Sequence, residues 1–142
     1  MIIEFHYETD FKLNNNEFYK NWILNIFEVE NSFCGDINYI FCDDAYLLEI
    51  NKKHLKHDTY TDIITFDYSV GNQISSDIFI SIERVRENAE SLDIIFNDEL
   101  LRVMSHGILH LLGFNDKTEA QKDLMRSKEE EMIKLFHVEQ NN

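Results

Sequence analysis

Two histidines and one aspartate, His106, His110 and Asp116, have the types and the spacing of a divalent-metal site. The histidines are at positions i and i+4, so on a helix their imidazoles project from one face, with β-carbons about 5–6 Å apart. Gly113 can end that helix and adopt a positive φ, which would let Asp116 return to the same ion. Three protein ligands leave a fourth position for water, as in a catalytic zinc site. The sequence therefore predicts one Zn²⁺ per chain, or another divalent transition metal, at these residues.

The same spacing is found in the metzincin proteases, so a metallopeptidase is one alternative. Those enzymes carry a glutamate directly after the first histidine, where it acts as the general base. Gly107 occupies that position here and cannot transfer a proton, which makes a peptidase only a minor alternative. A purely structural metal is another alternative, and it predicts that loss of His110 unfolds the domain.

The elements that must position these residues follow from the hydrophobic spacing, which predicts a single domain over residues 1–142 with a flexible tail at 137–142. The predicted strands are residues 2–7, 37–41, 63–66 and 78–80. The predicted helices are residues 18–27, a segment carrying Leu47, Leu48 and Ile50, and residues 82–92, 98–112 and 119–136. Such a mixture is typical of an α+β or mixed α/β fold with about four strands.

Capping patterns predict how several of these elements begin and end. Asn97 is the predicted N-cap of the helix that carries the histidine pair. Thr118 and Gln121 have the spacing of a capping box at the start of the last helix. The polar residues 51–62 are predicted to form a connector, and the acidic run 127–131 is predicted to form a solvated helix face.

Composition restricts the function classes. Among 142 residues there are 13 Lys and Arg against 27 Asp and Glu, a net charge of −14. This acidity excludes a protein that coats nucleic acid non-specifically, because phosphate binding is driven by clustered Lys and Arg. The segment 1–5 lacks the basic region of a signal peptide, and no apolar run approaches the roughly 18 residues of a membrane span. We therefore expect a cytoplasmic protein without a membrane partner.

The residues around the metal motif also resemble a known family. The run 106–114, His-Gly-x-Leu-His-Leu-Leu-Gly-Phe, resembles the signature of the YbeY-type endoribonucleases, the rRNA maturation factors of bacteria. Segments 61–66 and 76–81 resemble two strands of that family in the same order, and the similarity spans essentially residues 1–137. The resemblance implies a small α+β fold with a roughly four-stranded mixed sheet, about five helices, and the metal-binding helix packed on the sheet.

The resemblance further implies an activity and partners. Members of the family cleave single-stranded RNA in a metal-dependent reaction, with zinc as the usual ion. Their implied role is maturation of small-subunit rRNA, including its 3′ end, and ribosome quality control, with rRNA and the small ribosomal subunit or its proteins as partners. The attacking group is either a metal-bound water or the RNA 2′-hydroxyl, and the residues leave both open.

Two positions depart from the family pattern. Asp116 stands where the third ligand is most often histidine. Its negative charge should raise the pKa of a metal-bound water relative to a site of three neutral histidines. Leu55 stands where the family usually carries an arginine, and a leucine cannot bind phosphate. The second departure leaves open a different hypothesis, a metal-stabilised ribosome assembly factor with little intrinsic nuclease activity.

Positive charge beside the phosphate is expected from a local basic segment. Lys52, Lys53 and Lys56 lie within five residues that contain no acid, although they could equally be a solvated helix end. Beside the metal, the predicted catalytic residues are Lys56, His57 and Asp62, where Asp62 either orients a ligand imidazole or caps a turn. A small cationic site on an acidic body predicts weak, salt-sensitive binding of single-stranded RNA and no binding of duplex DNA.

Overall fold

Four strands and five helices form the part of the chain that the computed structural model describes, residues 2–55 and 61–140. In chain order they are β1 Ile2–Tyr7, α1 Asn16–Val29, β2 Phe33–Cys42, α2 Asp44–Leu55, β3 Ile63–Asp67, β4 Gln73–Ser81, α3 Ile82–Leu92, α4 Phe96–Leu111 and α5 Glu119–Gln140. The strand order is β1-β2-β4-β3, with β3 antiparallel to β4 and the other neighbours parallel. This arrangement confirms the expected α+β class with a four-stranded mixed sheet. None of the described helices is long and apolar enough to cross a membrane.

The two faces of the sheet are covered by different helices, because side chains alternate between the faces along each strand. Ile78 and Ile80 point into the main core, where they join buried residues of α1, α4 and α5. Ile64 and Phe79 belong to a separate cluster with Leu47 of α2. Helices α4 and α2 therefore lie against opposite faces of the sheet.

Helix α4, which carries the histidine pair, packs closely on the sheet, as expected. A β-carbon at Gly107 would lie 3.0 Å from Cδ1 of Ile63 and 3.4 Å from Cγ2 of Ile78, so the glycine permits this close approach. The buried hydroxyl of Tyr39 on β2 donates a hydrogen bond to the carbonyl oxygen of Met104 at 2.9 Å. The helix is thus fixed to β2 just before His106, and to β3 and β4 between the two histidines.

The predicted capping at the start of α4 is wrong, whereas that of α5 is confirmed. Ile95 is the N-cap residue of α4 and makes no side-chain capping bond. Asn97 instead accepts a hydrogen bond from the hydroxyl of Tyr19 at 2.9 Å, a long-range contact that draws it away from capping. At α5, the backbone N–H of Gln121 donates to Oγ1 of Thr118, and the Gln121 side chain accepts from the Thr118 N–H in return.

Two segments that were predicted to be irregular are helical. Residues 51–55, part of the predicted connector, form the last turns of α2, where the polar side chains of Lys52, Lys53 and His54 are exposed and that of Asn51 is buried. Residues 137–140, part of the predicted flexible tail, continue α5. His137 lies 2.9 Å from Oδ1 of Asp98 on α4, which ties the end of α5 to the neighbouring helix. Residues 56–60 of the first segment and 141–142 of the second lie outside the described residues.

Candidate metal centre

The structure brings together the three side chains that the motif indicated. Nε2 of His106 lies 3.5 Å from Oδ2 of Asp116, and Nε2 of His110 lies 3.4 Å from the same oxygen. The centroids of the two imidazole rings are 4.6 Å apart, and one ligand atom from each residue lies within 4.8 Å of the others. All three residues are partly exposed, so the group could hold a metal ion that a substrate can reach.

The end of α4 and the turn after it determine this geometry. The backbone N–H of Gly113 donates to the carbonyl of His110, and that of Phe114 donates to the carbonyl of Leu109, both at 3.0 Å. Gly113 has a φ of 102°, a conformation that a residue with a side chain rarely adopts. The chain therefore reverses directly after the helix and brings Asp116 back to the histidines.

A fourth residue, which the sequence reasoning missed, lies behind His106. Oε2 of Glu129 on α5 lies 2.6 Å from Nδ1 of His106, and Glu129 is only 4% exposed. The prediction of a solvated face over residues 127–131 is therefore wrong at this position. The helical spacing of Glu129 with three buried hydrophobic residues would have indicated its burial. Those residues are Met125, Met132 and Phe136.

Arg102 connects Glu129 to two further carboxylates. Its Nε and Nη2 donate to the two side-chain oxygens of buried Glu99, at 2.8 and 2.5 Å, and these hydrogen bonds raise the pKa of the guanidinium. Its Nη1 lies 3.6 Å from Glu129, and its Nη2 lies 3.8 Å from Asp62. Burial raises the pKa of Asp62, although the charge of Arg102 opposes that shift. Three carboxylates thus surround one guanidinium behind His106.

This donor set and its surplus of negative charge suit a divalent cation. Imidazole nitrogens combined with a carboxylate oxygen are ligands that Zn²⁺ and other divalent transition metals accept. A cation at Nε2 of His106 would be stabilised directly by Asp116 and, through the imidazole, by Glu129 at Nδ1. The residues present therefore fit a metal ion of this class.

The predicted catalytic residues are only partly placed by the structure. Lys56 and His57 lie outside the described residues. Asp62 accepts a hydrogen bond from Nδ2 of Asn88 at 3.3 Å and approaches Arg102, and it makes no hydrogen bond to a histidine within residues 2–55 and 61–140. Its connection to the histidine pair is therefore indirect.

Besides Arg102, whose charge is surrounded by carboxylates, α5 brings two cations near the three-residue group. A cavity of about 210 Å³ is lined by Lys122 and Arg126 together with His106 and Asp116. Lys122 and Arg126 are one helical turn apart, are exposed, and form no ion pair among the described residues. The lysines that the sequence singled out on α2 belong to the helix on the opposite face of the sheet.

Comparisons with known proteins point to one family. The family model described as endoribonuclease YbeY matches residues 4–137. A Flavobacterium psychrophilum protein of that name is 56% identical over 140 residues, which cover 99% of this chain and 100% of that protein. A Christiangramia forsetii protein of that name is 58% identical over 138 residues, covering 97% and 96% of the two chains. A solution structure of a Thermotoga maritima protein matches in fold, with a TM-score of 0.62 and 22% identity over 99% of this chain and 92% of that chain.

Proposed function

Because this chain belongs to the YbeY family of endoribonucleases, we propose that it cleaves single-stranded RNA with a divalent metal ion held by His106, His110 and Asp116. One observation carries the proposal: these three side chains converge, and two of them, His106 and Asp116, line a cavity together with Lys122 and Arg126. We propose Zn²⁺ as the ion, one per chain, because two imidazoles and one carboxylate with an open position make a ligand set typical of catalytic zinc.

Each residue of the site has a distinct part in this activity. When bound, the ion supplies Lewis-acid chemistry at the phosphodiester and at water. His106 and His110 present neutral nitrogens, while the carboxylate of Asp116 lowers the net positive charge of the centre. Lys122 and Arg126 bind phosphate oxygens of the strand and offset the negative charge that develops during cleavage.

The charge distribution supports single strands as the substrate. A chain with a net charge of −14 repels nucleic acid over most of its surface, and the cations at the cavity are few. Binding then depends on a small number of phosphate contacts, which makes it weak and salt-sensitive. Duplex DNA has a higher charge density, so the acidic surface repels it more strongly. The small basic surface does not compensate for this repulsion, and duplex DNA is excluded.

The family also supports a biological setting for the proposal. We propose that the substrate is rRNA of the small ribosomal subunit, including its 3′ end, and that cleavage serves maturation and ribosome quality control in the cytoplasm. The small subunit or its proteins would then be the partners that bring the substrate to the cavity. Such a partner would compensate for the weak intrinsic affinity of an acidic protein for RNA.

A second candidate function is a metal-stabilised ribosome assembly factor with little nuclease activity. The observation that favours it is Leu55, which stands where the family usually carries an arginine and cannot bind phosphate. The two candidates share the metal centre, so they differ only in whether the bound ion acts on RNA.

An RNA cleavage assay separates these candidates. The purified chain is incubated with end-labelled single-stranded RNA before chelation, after chelation, and after Zn²⁺ is restored. We expect chelation to abolish cleavage, Zn²⁺ to restore it, and His106→Ala to lack it while keeping the parent's circular dichroism. Cleavage by His106→Ala at the parent's rate would contradict the proposal, and stoichiometric metal binding without cleavage would favour the assembly factor.

A further inference from the structure

We propose that Glu129 is a positioning residue, which fixes the tautomer and orientation of His106 and thereby sets the metal affinity of the centre. The inference rests on the proposed function, because it concerns the ligand that His106 would present to the ion. The contacts that support it are nevertheless separate from those of the proposed metal ligands, since they lie on the side of the His106 imidazole that faces away from Asp116.

The first step is the direction of one hydrogen bond. The carboxylate of Glu129 can only accept, so the 2.6 Å contact with Nδ1 of His106 places the imidazole proton on Nδ1. The lone pair is then on Nε2, the nitrogen that lies 3.5 Å from Asp116. Glu129 thus selects the tautomer in which His106 can coordinate a metal together with Asp116.

The second step is the burial of this contact. The side chains of Glu129 and His106 are 5% and 17% exposed, so water competes little for their hydrogen bond. An ionised acceptor in such surroundings makes a shorter and stronger bond than a neutral one. The imidazole is therefore held in one orientation before any ion arrives.

The third step is the support of Glu129 itself. Glu99, Arg102 and His106 follow one another at helical spacing along α4, and α5 inserts Glu129 between the last two. Glu99 holds the guanidinium of Arg102 with two hydrogen bonds, and Nη1 of Arg102 lies 3.6 Å from Oε1 of Glu129. Both oxygens of Glu129 are thus engaged, one by Arg102 and one by His106.

The other histidine provides an internal contrast. Among the described residues, His110 contacts the imidazole of His106 and the carboxylate of Asp116, and no carboxylate supports its second nitrogen. His110 is also more exposed, at 35% of its side chain against 17% for His106. The orientation of the centre therefore depends on His106 and, through it, on Glu129.

The test compares Glu129→Met with Glu130→Met. Methionine keeps the length and packing of the side chain at position 129 but cannot accept a hydrogen bond, and the neighbouring substitution removes the same charge from the exposed face of α5. Each protein is titrated with Co²⁺, whose visible absorption reports both affinity and ligand geometry. We expect Glu129→Met to bind Co²⁺ about 10–100-fold more weakly with an altered spectrum, and Glu130→Met to match the parent.

A second readout needs no variant and no metal. Nitrogen chemical shifts of the neutral His106 imidazole in the metal-free parent report which ring nitrogen carries the proton. A proton on Nδ1 supports the inference, whereas a proton on Nε2 overturns it, as does unchanged Co²⁺ binding by a folded Glu129→Met. Failure of the parent itself to bind Co²⁺ would instead overturn the proposed metal centre, and the positioning role with it.

Discussion

Helix α2 and the junction of α4 with α5 show opposite relations between charge in the sequence and position in the fold. Helix α2 carries the adjacent lysines Lys52 and Lys53, yet it packs on the sheet face opposite α4. Helix α5 carries a run of acids, yet it places Glu129 behind His106 and contributes cations to the cavity. The density of charge along a segment therefore says less about its function than the face of the helix on which each charge lies.

The largest effect that would separate the two regions comes from their histidines. His110→Ala removes a proposed ligand at the end of α4. His54→Ala removes an imidazole on α2 whose ring centroid lies 5.8 Å from that of Phe66. We expect His110→Ala to lose more than about 100-fold in RNA cleavage and in Zn²⁺ affinity while remaining folded, because a lost ligand costs more than a lost supporting hydrogen bond.

His54→Ala is the matched control for that prediction, and it should retain the parent's activity. Cleavage rates and calorimetric Zn²⁺ titrations check both variants, and circular dichroism checks their folding. If His110→Ala unfolds, the metal is structural rather than catalytic. If His54→Ala loses activity as severely, the contrast between the regions is wrong.

An intermediate effect is expected in stability. Glu99→Ala leaves the partly buried guanidinium of Arg102 without its two shortest hydrogen bonds, which should lower the free energy of unfolding by about 2 kcal/mol. Glu49 on α2 is 77% exposed and lies 4.0 Å from Lys52, so Glu49→Ala should change stability too little to measure. Urea unfolding of both variants makes the comparison, and equal losses would show that the charges at the α4–α5 junction are no more stabilising than a surface pair.

The smallest effect is expected in RNA affinity. Lys122→Ala combined with Arg126→Ala should weaken binding of a single-stranded RNA about tenfold, because the proposed function has each cation contact one phosphate. The slope of log affinity against log salt concentration should fall by about 1–2. The pair Lys52→Ala and Lys53→Ala should leave both quantities close to the parent's. Fluorescence anisotropy over a series of salt concentrations measures the affinity and its salt dependence. A larger effect of the Lys52→Ala and Lys53→Ala pair would assign phosphate binding to α2 instead.

The sequence was most informative where the structure depends on local spacing. The i,i+4 histidines followed by Gly113 and Asp116 predicted the group that the structure brings together, because one helix end and one turn produce it. Helix α3 has the predicted limits 82–92 for the same reason, with Ser81 capping its first turn. In both cases, the decisive contacts are made within a few residues of the chain.

The sequence was least informative where the decisive contact is distant. Glu129 is 23 residues from His106, and its role follows from the packing of α5 on α4. Asn97 was expected to cap α4, but a hydrogen bond from Tyr19, 78 residues away, holds its side chain. The sequence predicts a connector at residues 51–55 because the run Lys52, Lys53 and His54 is polar and exposed, so few apolar positions reveal the helical period there.

The central claim, that a single ion at His106, His110 and Asp116 enables RNA cleavage, is tested most directly by a stoichiometric titration. Chelator-treated protein receives Zn²⁺ in steps, and the cleavage rate of a single-stranded RNA is followed alongside the bound metal. The proposal predicts that the rate rises linearly and reaches its plateau at one ion per chain, with no rise for Asp116→Ala. A rate independent of added Zn²⁺, or equal for Asp116→Ala, would contradict it.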